Sequence, residues 1–243
     1  MAILWNASFP GIYVEPRFVE GDDENDDTGR PLPGAEALKF QSRTFINLSV
    51  IRSKPIGSDL LSLISKRCQG YGIKTQGMRC KIMLGRGTLA DGLAPPFAVP
   101  SPEYFDEALE ATRAIGGGGK RSTRVSWSVY GRSFAIAGVG NSASAIYNPF
   151  INYDQFLLPR IRVPTPPFIA LAHELIHCLH TLSGDWVSRR SLADRIKVEE
   201  ARTVGAGHYN QTRISENAIR AEHGLPKRRF YIKPGDCDTP RLG

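Results

Sequence analysis

His173, Glu174 and His177 fall in the order H-E-x-x-H inside the apolar run from Phe168 to His180. A run apolar nearly all round predicts a buried helix. Residues four apart on a helix share a face, so two imidazoles can aim at one point. Glu174 lies about 100° round from His173, close enough to act on a water at that point. Two histidines for zinc with a carboxylate as general base is the metalloprotease arrangement. Shuffling this composition, with its 5 His, gives the pattern in roughly one case in two hundred, so accident is the weaker reading. Unpaired buried charge is costly, which leaves a core helix little other reason to carry these three residues.

A catalytic zinc takes three protein ligands and keeps a fourth position for water. His180 lies two turns, roughly 10 Å, beyond His173 along the axis and is read as packing or support. The extended pattern H-E-x-x-H-x-x-G-x-x-H fails, because its last two required positions hold His180 and Ser183. The third ligand is expected from Val198-Glu199-Glu200-Ala201-Arg202-Thr203 on the following helix. Glu199 is favoured, with Thr203 one turn on and able to hold a ligand histidine through its hydroxyl. Glu200 is the alternative ligand or a supporting group; Asp185, Asp194 and His208 are weaker candidates. Arg228 and Tyr231 are candidate donors to the oxyanion of peptide hydrolysis.

These residues need elements to position them. Pro166-Pro167 starts the histidine-bearing helix and Gly184 ends it. Two further helices are expected, Leu192 to Val204 and Ser215 to His223, the second stopped by Gly224. Upstream, strands are expected at 44–52, 78–84, 123–129, 134–139 and 143–147. Helices are expected after Ser58 or Asp59 and from Ser101 to Ile115. Residues 85–100 and 148–167 read as Gly- and Pro-rich loops. Residues 1–36 read as an unordered segment and a plausible secretion signal, with 37–243 as one domain.

Composition is that of a globular protein, 41% hydrophobic and 23% charged. No apolar run approaches the roughly 18 residues of a membrane span. The first basic residue is Arg17, so the N-terminus lacks the basic flank of a secretory signal peptide. The three N-x-S/T sequons, at Asn6, Asn47 and Asn210, are then chance matches. Cys68, Cys80, Cys178 and Cys237 show no paired spacing, which argues against a disulfide framework and for reduced thiols. Net charge is +7, but residues 15–27 hold seven acids and a single base. From residue 31 on, 29 bases (31 less Arg17 and Arg30) face 17 acids (24 less those seven). The bases are scattered and match no nucleic-acid-binding motif.

The order His173-Glu174-Leu175-Ile176-His177, then Glu199-Glu200-Ala201-Arg202-Thr203-Val204-Gly205, then Arg228 and Tyr231, resembles the catalytic order of the clostridial neurotoxin light chains. That resemblance implies the first Glu of the pair, Glu199, as third zinc ligand, with Glu200 close by and Arg228 and Tyr231 assisting the transition state. It covers the site only, since those light chains are much longer. Loosely over residues 45–235, and well over 165–231, the chain resembles the NleD-type effector metalloproteases of bacterial type III secretion, including their plant-pathogen branch. The run from Ser215 to Pro226, with Arg228 and Tyr231 after it, also resembles that family. That resemblance implies cleavage of a host mitogen-activated protein kinase.

The expected molecule is an α+β, zincin-like (gluzincin-type) domain: a small mixed sheet, then a helical half carrying the H-E-x-x-H helix. It is expected to be a monomeric zinc endopeptidase with one Zn2+ per chain, acting on a host protein in the host cytoplasm or nucleus. Neither nucleic acid nor membrane is an expected partner. The rival is a non-enzymatic effector that binds host proteins, with zinc structural or absent.

Overall fold

A computed structural model describes residues 2–19, 30–69, 78–85, 97–100, 143–151, 163–185 and 192–229. In chain order the elements are β1 (Ile3–Leu4), β2 (Ile12–Val19), β3 (Arg30–Pro31), α1 (Gly34–Arg52), α2 (Pro55–Cys68), β4 (Cys80–Gly85), β5 (Phe97–Pro100) and β6 (Ala143–Tyr147). Then come α3 (Pro167–Ser183), α4 (Leu192–Val204), a 3-10 turn at Gly207–Tyr209 and α5 (Glu216–Glu222). The expected α+β fold with a small mixed sheet and helices is what the chain forms, but α1 and α2 lie between β3 and β4 rather than after the sheet.

The sheet runs β1-β2-β4-β6-β5, with β3 also paired to β2. β2, β4 and β6 are mutually parallel, while β1 and β3 on β2 and β5 on β6 are antiparallel. All five residues of β6 are buried, as a central parallel strand requires. α3 packs among α1, α2 and the sheet: Ile169, Leu171, Ala172, Leu175, Ile176 and Leu179 join Leu48, Leu60, Ile64, Ile82 and Ala145 in one core. No described helix is long and apolar enough to cross a membrane.

Three expectations are corrected. The alternation at 44–52 predicts a strand, but the segment is the second half of α1. Its buried positions Phe40, Thr44, Leu48 and Ile51 are spaced by four, four and three, one helical face. Ile46, which suggested the alternation, is 55% exposed. The N-terminal segment is not structureless. Ile12, Val14 and Val19 of β2 are buried, and Ile12 pairs with Cys80 at the heart of the sheet. Pro16 in mid-strand and the acidic residues that follow hide this pattern. The stretch 85–100, read as loop, holds β5. The expected helix at 101–115 and strands at 123–129 and 134–139 lie outside the described residues.

Candidate metal centre

Each element that carries a site residue is fixed by local signals. α3 has Pro166 before it and Pro167 at its first position, where a missing N–H costs nothing. Gly184, at φ 65°, closes it in the left-handed conformation. α4 is ended by Gly205 at φ +71°, where a Cβ would lie 2.4 Å from the Ser215 hydroxyl. This close approach brings α4 and α5 together. Ser215 caps α5 by accepting from the Ala218 N–H at 3.3 Å.

His173 and His177 bring their Nε2 atoms to 3.1 Å of one another. The carboxylate of Glu200 closes the triangle, Oε2 lying 3.1 Å from His173 Nε2 and Oε1 lying 3.3 Å from His177 Nε2. Tetrahedral bonds of roughly 2.0–2.1 Å put neighbouring ligand atoms about 3.3–3.4 Å apart, so these three donors have the spacing that zinc needs. The donor set, two imidazoles and one carboxylate, is also that of a catalytic zinc. Glu174 is buried beside them, its Oε1 4.0 Å from His173 Nε2.

The opposite ring nitrogens are held by carboxylates. Glu216 Oε2 lies 2.8 Å from His173 Nδ1, and Glu199 Oε1 lies 3.2 Å from His177 Nδ1. A carboxylate accepting at Nδ1 fixes the tautomer and turns Nε2 toward the shared point. The preference for Glu199 as third ligand is therefore replaced: its carboxylate faces the back of His177, and its neighbour Glu200 faces the shared point. Thr203 lies where the sequence puts it, 3.3 Å from His177 Nδ1 and 3.4 Å from Glu199 Oε1. His180 Nδ1 hydrogen-bonds Glu199 Oε1. His177, His180 and Glu199 form a second possible three-donor group, through the far side of the His177 ring. That group omits His173 and is already joined by hydrogen bonds.

Glu216 is the site residue that sequence reasoning misses. An acid four residues before Arg220 reads as an ordinary exposed helix pair. In the fold both are fully buried, Arg220 Nε donating to Glu216 Oε1 at 2.5 Å. Arg220 also donates to the Pro164 carbonyl and the Thr165 hydroxyl, just ahead of α3. Arg228, expected near the chemistry, donates to Glu216 Oε2 at 3.0 Å, and its backbone is held by Asn217. Asp185 lies outside the donor cluster and pairs with Arg202, while His208 sits in the exposed 3-10 turn. Tyr231 and the side chain of Asp194 lie outside the described residues.

Burial sets the electrostatics. Burial pushes the Glu174 carboxyl up to about 7 against the pull of His173 and His177. Burial would also raise Glu200, but His177 and the hydrogen bonds from both histidines bring it to about 2. Burial would lower His173, yet hydrogen bonds to Glu200 and Glu216 raise it to about 9. Glu216 is held well below the usual carboxylate range by Arg228, His173 and Arg220, against its burial. Without metal, His173 and His177 thus pair as imidazolium ions with the carboxylates around them, and the Glu174 carboxyl is poised near neutrality.

In fold, the chain is similar to the light chain of Clostridium botulinum neurotoxin serotype F, at 16% identity and TM-score 0.44 over 72% of this chain and 46% of that one. The catalytic domain of the same serotype gives 14% and 0.46, over 88% and 59%. The botulinum neurotoxin type G light chain gives 17% and 0.41, over 86% and 55%. The chain spans about half the length of these structures. No curated protein matches it in sequence. The Peptidase M91 model, described as an effector protein, matches residues 29–231, and the chain belongs to that family of effector peptidases.

Proposed function

We propose that the chain is a zinc endopeptidase of the zincin type, with His173, His177 and Glu200 as ligands of one Zn2+. The observation that carries this reading is the convergence of two Nε2 atoms and one carboxylate beside the buried carboxyl of Glu174. Among the described residues this group offers three donors. Three is the number of protein ligands that a catalytic zinc takes.

Bound zinc would supply a Lewis acid and lower the pKa of a water. Glu174 takes the proton of the attacking water and hands it to the leaving amine, the double duty of a general base that becomes an acid. Glu216 and Glu199 keep the two imidazoles in the tautomer that presents Nε2. Arg228 is a charge at the edge of this cluster, and Tyr231 follows it closely enough in sequence to serve the oxyanion.

The effector family supports a protein substrate. We assign the enzyme to the NleD type and its plant-pathogen branch, acting as a monomer in the host cytoplasm or nucleus after delivery by a bacterium. A host mitogen-activated protein kinase is the first substrate to test. The experiment is neo-N-terminus profiling of plant-cell lysate with the wild-type chain and with Glu174→Gln. New termini are expected with wild type alone, a mitogen-activated protein kinase among them, and Glu174→Gln should lose roughly 10²- to 10⁴-fold in rate while keeping its zinc. Equal cleavage by both chains would remove Glu174 as the base. Zinc without any new terminus would favour the host-protein-binding reading.

A further inference from the structure

The third histidine of α3 takes no part in the chemistry just described, yet it is buried against it. His180 lies three residues beyond His177 and shares that residue's side of the helix, where it groups with His177 and Glu199 and not with His173 and Glu200. Its Nδ1 hydrogen-bonds Glu199 Oε1, the same oxygen that faces His177 Nδ1. Glu199 is 1% exposed, and among the described residues its other oxygen has no hydrogen-bond partner. The Arg202 guanidinium approaches that oxygen only to 4.0 Å.

We propose that His180 is a positioning residue for the metal centre, fixing the Glu199 carboxylate so that it accepts the Nδ1 proton of His177 and leaves Nε2 to zinc. The inference rests on the zinc reading above. A buried carboxylate gripped at one oxygen by a single imidazole would be free to turn about its own bond. The second ring removes that freedom, with the Thr203 hydroxyl at 3.4 Å as a weaker third contact. The two halves of the site are then built alike. On one side Glu216 backs His173 and is itself held by Arg220 and Arg228. On the other Glu199 backs His177 and is held by His180. An imidazole on the helix that carries the ligands ties this support to the spacing of α3 itself.

The test uses the full chain and metal readouts, independent of proteolysis. His180→Leu keeps the bulk and loses the donor. His180→Asn puts an amide N–H close to where Nδ1 stood, and His180→Gln puts one near the Nε2 position. Measured are metal stoichiometry, zinc affinity by competition with a chromophoric chelator, and the visible absorption of the cobalt(II) form. Wild type is expected to bind one metal ion. His180→Leu should bind it roughly 10- to 100-fold more weakly, with a changed cobalt(II) band, and His180→Asn should recover most of the loss. His180→Gln should not recover it, and if the leucine variant fails to fold the Asn–Gln contrast decides.

Affinity and spectrum unchanged in His180→Leu would overturn the proposal. So would equal losses in the asparagine and glutamine variants, which would make the ring's packing the cause. Two metal ions in wild type and one in His180→Leu would instead make His180 a ligand in the group with His177 and Glu199. No zinc in wild type would remove the centre itself, and this inference with it.

Discussion

At the scale of single residues, two adjacent carboxylates with one sequence context have different surroundings. Glu200 faces both Nε2 atoms, whereas Glu199 faces Nδ1 of His177 and of His180. Glu200→Gln should therefore abolish zinc binding at micromolar metal, while Glu199→Gln should weaken it by about 10- to 100-fold. Chelator competition on both variants separates a ligand from a support, and the reverse ranking would restore Glu199 to the metal. The H-E-x-x-H residues were legible because a fixed spacing on a helix is already geometry. Which of two neighbouring acids turns inward was not, because it depends on how α4 crosses α3. Protons supply a second residue-scale prediction. His173, raised to about 9, stabilises the metal-free fold fully below its ordinary value near 6.5, and this is lost as pH rises through about 9. Glu200, lowered to about 2, contributes above its ordinary 4.5 and less as pH falls toward 2. The metal-free protein should be most stable between these ranges, near pH 5 to 6. Zinc must displace the imidazole protons, so its affinity should climb from pH 6 to 9 with net proton release. Calorimetry in two buffers of different ionisation enthalpy would show this; identical enthalpies would mean the empty site is not protonated.

At the scale of elements, the site is held where α3, α4 and α5 meet, and the ends of those helices were the most readable part of the chain. Pro167, Gly184, Ser215 and Gly224 are local signals with local causes, and they bound α3 and α5 as expected. The knot between the helices was not readable. Glu216 and Arg220 look like a solvated pair until the fold buries both. Their burial makes a sharp prediction. Glu216→Ala leaves Arg220 charged and unpaired in the core beside Arg228, which should cost about 3–5 kcal/mol of stability. The loss should be present in metal-free protein and visible as a lowered urea midpoint. A change below about 1 kcal/mol would mean that solvent reaches the knot. α1 shows the opposite failure. Its alternation over Ile46, Leu48 and Val50 is real in sequence, yet the buried face is set by Phe40, Thr44, Leu48 and Ile51. A short apolar stretch supports both periods, and the Tyr147 hydroxyl donating to Thr44 at 2.9 Å records which one the tertiary fold selects.

At the scale of the whole molecule, the N-terminal strand is part of the sheet on which the site rests. β2 is parallel to β4 and carries β1 and β3 on its other side. Ile12, Val14 and Val19 are buried, each worth about 1.5–3 kcal/mol. Together they rival the roughly 5–15 kcal/mol that separates a folded domain from its unfolded chain. Removing residues 1–19 should therefore abolish cooperative thermal unfolding and empty the metal centre, although no site residue is touched. α3 packs on the layer that β2 completes, so loosening one loosens the other. A protein truncated at residue 19 that still melts sharply and holds one zinc would show that the remaining strands stand alone. A soluble but metal-free, non-cooperative chain is the outcome that this packing demands.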